Sequence, residues 1–535
     1  MRFAKIITVW VLIGLMGFSS RFGQTAYASE KPVYLRSVTY FGDEWPINYW
    51  GSEDKDMASN FEKIKADGFN SIILVIPWRE FQPCDEKEEF NPAAFERLNQ
   101  VMCCAAEYDL WVVVRIGYSW DYYGKVELPA RFYGIINESS SDREMWLRYC
   151  EAIYRNVSAH PNFHSGFITW EDFWDYVHNM KRDYSKEERI ELAETSGYQE
   201  YLSSHYSLDQ VAAKYGEHFD SFSDIYIPYR DMEAAELFFQ FYDRMLNRLL
   251  AVSQTKFPGL SMEVRADGDP VYTNDGNMYY YSHHATYPCN GADYSGLMYS
   301  VSMGQKNESD RISAGQALAA MDRNMKALKE LSGKKYYVEQ LLYMDSTEQF
   351  SYNTQILEEE TDDFVRELAP ILLQTTNGYG LWVYRNYVNN CVYNGQFGLG
   401  TTGWKFTNNS TVQDVNGVKM AHIRGDGSIT QNLTGRLSGG SDICVELSVT
   451  PEFDKAKITV KLGTVEKELK VTKPRTYKLH FPWSDQYDLT ISSDRRAYVD
   501  DVRVYTYEQY GRIYDKEGNE QDLADDFRIL NSQLP

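Results

Sequence analysis

Residues 71–116 read SIILVIPWREFQPCDEKEEFNPAAFERLNQVMCCAAEYDLWVVVRI. The stretch opens and closes on continuous apolar runs, SIILVIP and WVVVRI. Between them, residues 93–107 repeat apolar side chains at helical spacing. An unbroken apolar strand is buried on both faces, and two such strands joined by a helix form a parallel βαβ unit. Working outward, the same alternation recurs. A first strand is expected over 35–41 and a helix over 56–67. A helix over 143–157 precedes a fourth strand beginning at 166. Strands five to eight fall at 259–264, 295–303, 335–342 and 380–384, with helices at 312–331 and 363–375. Eight units predict an α/β fold, a (β/α)₈ TIM barrel, over residues 29–390. An open doubly wound sheet is disfavoured because no glycine-rich phosphate loop follows the first strand. A long excursion, about residues 175–235, separates strand four from its helix and sits on the side where loops wall a cleft.

After residue 390 the pattern changes. Short alternating strands with Gly, Asn and Ser turns run to 507, as in ITQNLTG, AKITVKLG and YVDDVRVY. These predict an antiparallel β-sandwich of jelly-roll type over 391–507. A polar tail, 508–535, follows. At the other end, Arg2 and Lys5 precede an apolar stretch, and Ala26-Tyr27-Ala28 forms a small-residue cleavage signal. Residues 1–28 therefore read as a secretory signal peptide, and the mature chain is expected to be exported, with no membrane span.

The 535 residues carry 54 Lys and Arg against 77 Asp and Glu, a formal charge of −23. So acidic a surface disfavours nucleic acid, and none is expected as a partner, since phosphates want a basic footprint. It also disfavours a polyanionic polysaccharide as the substrate. Aromatic residues make up 15%, with 42 Tyr, 26 Phe and 12 Trp, an excess that suits stacking on sugar rings. The 7 Cys show no CxxC pair and read mainly as small buried residues. The 9 His form no HExxH, so neither a catalytic metal nor another cofactor is expected.

Catalytic groups on such barrels project from the C-terminal strand ends. Two acids stand there among aromatics: Glu171 in FITWEDFW (167–174) and Glu339 in YYVEQLLYMD (336–345). Either one alone reads equally well as a salt-bridge partner for Arg79, Arg115, Arg265 or Arg385. Both together, at strands four and seven, point to paired acid and nucleophile chemistry. Here the sequence resembles the retaining glycoside hydrolases of clan A. VIPWREFQP (75–83), the helix and strand that follow it, and YLSSHYSLDQVAAKYGEHFDSFSDIYIP (201–228) resemble the β-galactosidase-type families in particular. The resemblance implies that Glu171 is the acid/base and Glu339 the nucleophile. It departs from the clan at Trp170, which stands where an Asn normally binds the sugar 2-hydroxyl. The sandwich, from YNGQFGLGTTGW (393–404) to YVDDVRVY (498–505), resembles a carbohydrate-binding module.

A retaining β-glycosidase acting on a neutral galactoside, glucan or mannan follows from this reading. A non-catalytic carbohydrate binder and a transglycosidase use the same residues and remain alternatives. Arg79 and Arg115 either keep the nucleophile ionised or form structural salt bridges. Tyr299 either donates to Glu339 or packs as core. Trp382 is expected to floor the sugar site, and Trp120, Trp170, Trp174 and Tyr343 to line the cleft. In the sandwich, Trp404 reads as core. Asp500 and Asp501 are weak candidates for a structural calcium.

Overall fold

The computed structural model describes residues 30–46, 48–83, 90–117, 134–135, 137, 140–169, 184–229, 232–266, 271–272, 278–279, 289–301, 310–344, 353–433, 442–483 and 488–535. Of 264–266, 271–272, 278–279 and 331–332 only the backbone is described. The expected leader, 1–28, lies outside these residues.

Eight parallel strands close into a barrel: β1 (Leu35–Thr39), β2 (Ser71–Pro77), β3 (Trp111–Gly117), β4 (Phe163–Ile168), β5 (Ser261–Ala266), β6 (Ser295–Ser300), β7 (Tyr336–Leu342) and β8 (Thr376–Leu381). β8 closes the ring on β1 through Leu35 opposite Gly378 and Val38 opposite Leu381. The helices that cover it include α1 (Met57–Ala66), α2 (Pro92–Glu107) and α3 (Ser141–Val157). The excursion after β4 folds as α4 (Lys186–Thr195), α5 (Tyr198–His205) and α6 (Leu208–Tyr215), then leads into the long α7 (Ala235–Gln254). α8 (Ala314–Ser332), α9 (Thr361–Arg366) and α10 (Ala369–Thr375) complete the ring.

Local chemistry sets these boundaries. Asn91 caps α2 by accepting from Ala93 N–H, with Pro92 at the first turn. Ser185 with Glu188, Ser207 with Gln210 and Ser313 with Gln316 form capping boxes for α4, α6 and α8. The single helix expected over 363–375 is broken into α9 and α10, because Pro370 lacks the N–H that a continuous helix needs there.

The eighth strand lies at 376–381 rather than the expected 380–384. Gly378 and Gly380 concealed it, since glycine weakens a strand signature. Both face the barrel interior under close packing. A Cβ on Gly378 would stand 2.7 Å from Leu35 Cβ, and one on Gly380 2.7 Å from the Glu339 carbonyl oxygen.

The C-terminal region holds two five-stranded antiparallel sheets. One is built from Lys405–Phe406, Gly427–Asn432, Asp488–Ser493, Ala456–Leu462 and Val465–Val471, in spatial order. The other runs Thr411–Val415, Val418–Ile423, Ala497–Tyr505, Asp442–Pro451 and Arg475–Pro482. Alternate residues such as Ile458, Val460, Ile491, Val499 and Val445 fill the space between them. Trp404 belongs to that core, and its indole N–H donates to the Asn394 carbonyl at 3.0 Å.

The tail packs on the barrel. Its helix α11 (Ala524–Ser532) buries Phe527 and Leu530 in the barrel's outer core. Arg528 pairs with the buried Asp67 at 2.7 Å, and Arg366 with Asp526 at 2.6 Å. Among the described residues no helix is long and apolar enough to cross a membrane.

Candidate active site

The interior of the barrel is layered. Leu35, Ile73, Val113, Phe167, Tyr294 and Tyr337 form one apolar layer. Moving two residues along each strand reaches the next layer on the C-terminal side, because side chains alternate faces. That step turns Val113 into Arg115, Phe167 into Thr169 and Tyr337 into Glu339, so the layer at the mouth is polar.

Its centre is a buried ion pair. Arg115 Nη2 stands 2.7 Å from Glu263 Oε2, and both side chains are 1% exposed or less. Arg115 also donates to Gln340 Oε1 at 2.7 Å and to Thr169 Oγ1 at 3.0 Å. Thr169 in turn donates to Glu263 at 3.0 Å. Strands β3, β4, β5 and β7 are thereby tied together directly beside Glu339. A buried charge is tolerable only when paired and hydrogen-bonded in this way.

Glu339 sits in β7 at an irregularity in the ladder. Along β8 the partners step from Val338 opposite Tyr379 to Leu341 opposite Leu381. Three residues of β7 therefore span two of β8, which is a β-bulge. The extra residue lets Glu339 and Gln340 both face the barrel interior. The Glu339 side chain is fully buried. Its charge is felt by its neighbours: burial first, and then Glu339 among other groups, pushes the phenols of Tyr294 and Tyr337 upward.

An aromatic wall stands over this layer. Trp382 follows β8 and packs against Phe41 at 5.2 Å, Tyr387 at 6.1 Å and Trp45 at 6.4 Å between ring centres. Trp45 is half-buried and rests on Val75, which sits two residues beyond Ile73 on β2. The structure thus places Trp382 at the mouth and adds Trp45 and Phe41, which the sequence did not single out.

Other expected residues fall elsewhere. Tyr343 does not line the cleft: its hydroxyl donates to the Gly511 carbonyl at 2.5 Å and its ring packs on Phe527 of the tail at 5.3 Å. The bulge is the cause. One inserted residue reverses the alternation, so a side chain four positions after Glu339 faces outward. Tyr299 alternates with the interior Met298 and Ser300 and joins Leu297 and Val301 in the helix-facing core, so it is core rather than a donor to Glu339. Arg115 pairs with Glu263 and donates to Gln340, the neighbour of Glu339. Arg79 lies in the helical turn Trp78–Phe81 after β2, 8% exposed, with Glu80 3.8 Å away. Arg385 binds the Lys516 carbonyl and the Asn60 amide, fixing the tail.

Trp120, Trp170, Glu171 and Trp174 lie outside the described residues; β4 ends at Ile168, three positions before Glu171. Among the described residues no group of three His, Cys, Asp or Glu side chains is arranged for a metal. Asp500 and Asp501 form no such group; Asp501 reaches Lys55 at 4.0 Å. Among the described cysteines Cys150, Cys289, Cys391 and Cys444 are buried and Cys103 is exposed, all as free thiols.

Fold and site together define an α/β barrel whose mouth holds a buried glutamate, a buried ion-pair network and an aromatic wall. No family model matches the chain, and no curated protein matches it. Solved structures do. GH5_18 from Streptomyces cattleya, in complex with GlcNAc, aligns at 12% identity over 66% of this chain and 72% of its own, with a TM-score of 0.40. The exo-β-1,4-mannosidase Op5Man5 from Opitutaceae bacterium strain TAV5 aligns at 10% identity over 68% of this chain and 55% of its own, TM-score 0.41. A β-galactosidase from the psychrophilic Marinomonas ef1 aligns at 10% identity over 66% and 54%, TM-score 0.46. The chain thus spans just over half the length of these last two. Such distant likenesses assign no residue and no activity to this chain.

Proposed function

We propose that this protein is an exported retaining β-glycosidase that cleaves a neutral oligo- or polysaccharide by double displacement. The observation that carries the proposal is the placement of Glu339: a fully buried carboxyl at a bulge in the seventh strand of a closed barrel, beside the Arg115 network and below Trp382. In this reading Glu339 attacks the anomeric carbon and forms a glycosyl-enzyme. Glu171 first protonates the leaving oxygen and then takes a proton from the water that releases the sugar. The geometry this demands is two carboxyls about 5–5.5 Å apart, so that the charge on one holds the proton on the other.

The aromatic wall supports a carbohydrate as substrate, since the apolar face of a sugar ring packs on an indole. The acidic surface supports a neutral one. Galactoside, glucan and mannan all meet these terms. The test uses aryl β-glycosides with good and poor leaving groups. Glu339→Gln abolishes turnover on both. Glu171→Gln loses about 10²–10⁴-fold on the poor leaving group and far less on the good one, which needs no proton. Near-normal turnover by Glu339→Gln would refute the assignment. Affinity for the sugar without hydrolysis by the unaltered protein would establish a binding protein instead.

A further inference from the structure

In the excursion after β4, α5 and α7 line a cavity of about 400 Å³. Small-molecule sites occupy roughly 300–1,000 Å³. We propose that this cavity binds an acidic saccharide, taking a carboxylate on its guanidiniums and the sugar ring on its floor.

Arg244 and Arg248 stand one turn apart on α7, both exposed. Like charges at that spacing repel. In a chain with 77 acidic residues, such a pair would be expected to find carboxylates. The lysines of the same excursion do: Lys214 pairs with Glu233 at 2.8 Å and Glu236 at 3.0 Å, and Lys186 with Glu217. Among the described residues neither Arg244 nor Arg248 meets one. Arg244 instead meets a histidine. His205 Nδ1 lies 2.8 Å from the Tyr201 carbonyl, to which it donates, leaving Nε2 to accept from Arg244 Nη1 at 2.5 Å. The histidine thus bridges the Tyr201 carbonyl and the Arg244 guanidinium. Its ring also packs on Tyr201 at 4.4 Å, and the Arg244 guanidinium lies 5.4 Å from the same ring centre.

The remaining lining decides the ligand class. Two guanidiniums on one face present parallel donors to a planar carboxylate. Tyr201, Phe241 and Met245 provide an apolar floor suited to the C–H face of a sugar ring. That floor favours a ligand that carries a ring beside its one negative charge over phosphate. Among the described residues, none that lines this cavity is Glu339, Trp382 or a member of the Arg115 network, so its test is separate from that of the proposed glycosidase activity.

Titration calorimetry on the intact protein at low ionic strength tests this, with D-glucuronate, D-glucose and inorganic phosphate as probes. Glucuronate binds saturably, and glucose and phosphate each at least about tenfold more weakly. Arg244→Gln and Arg248→Gln each weaken glucuronate by about ten- to a hundred-fold, as loss of a charged hydrogen bond implies. Arg248 is exposed, so the melting temperature of Arg248→Gln reports that the fold is intact. Absence of glucuronate binding, indifference to either substitution, or glucose binding as tightly would overturn the proposal. Phosphate binding as tightly as glucuronate would overturn it in favour of a phosphorylated ligand.

Discussion

Replacing Glu263 by Gln removes one charge from the centre of the barrel with little change of shape. At the 2.7 Å separation from Arg115, the attraction between the two charges is about 6 kcal/mol at an effective dielectric of 20. Taking two charged groups out of water costs several kcal/mol per ion, so the pair itself contributes little net stability. Breaking it is different, because the guanidinium stays buried at 1% exposure and loses the carboxylate 2.7 Å from it. Loss of one partner of a buried pair costs about 3–5 kcal/mol. Glu263→Gln should therefore lower the stability of the barrel by about that amount, read from urea unfolding followed by tryptophan fluorescence. Arg115→Met combined with Glu263→Gln should be less destabilised than Glu263→Gln alone. The double-mutant cycle then gives a coupling energy above about 2 kcal/mol. Activity should fall with the single change as well, because Arg115 anchors Gln340, the residue next to Glu339. A loss below about 1 kcal/mol for Glu263→Gln, or a double variant as unstable as the sum of the singles, would refute the reasoning.

Tyr343→Phe removes the hydroxyl that holds the tail at Gly511, and should cost about 1 kcal/mol of stability while leaving KM unchanged. A raised KM with unaltered stability would return Tyr343 to the cleft. Asp500 lies in the sandwich, where burial, and then the neighbouring Asp501 charge, raises its carboxyl to about 7. An unfolded Asp titrates near ~3.9. Between those values the folded form keeps a proton that the unfolded form has lost, so this residue makes stability fall as pH rises from about 4 through 7. Asp500→Asn should remove that decline, and its advantage in melting temperature over the parent should be larger at pH 8 than at pH 5. An equal difference at both would exclude the linkage.

Strands buried on both faces announce themselves, and β2, with SIILVIP, lies at the residues where its composition put it. Features that depend on a neighbour do not. β8 hides behind Gly378 and Gly380, whose role is set by Leu35 and the Glu339 backbone. Glu263 escaped notice because SMEVRA reads as an ordinary strand; only closure of the ring brings it to Arg115 and Thr169. A polar residue at every second position, Ser261, Glu263 and Arg265, was the available signal. The bulge at Glu339 is invisible in composition, yet it decides that Gln340 faces in and Tyr343 faces out. Trp45 sits in a loop after β1, and nothing local shows that it rests over Val75. The polar tail found its place through Arg528 and Asp67, 461 residues apart.

The most direct measurement of the central claim is covalent trapping. A 2-deoxy-2-fluoro β-glycoside with a good leaving group slows both steps of double displacement and, on a retaining enzyme, leaves its sugar on the nucleophile. Peptide mapping by mass spectrometry should then find one added fluorosugar, on the peptide that contains Glu339, with loss of activity in the same proportion. A label on another carboxylate, or full turnover of a natural glycoside by a Glu339→Gln variant, would contradict the account.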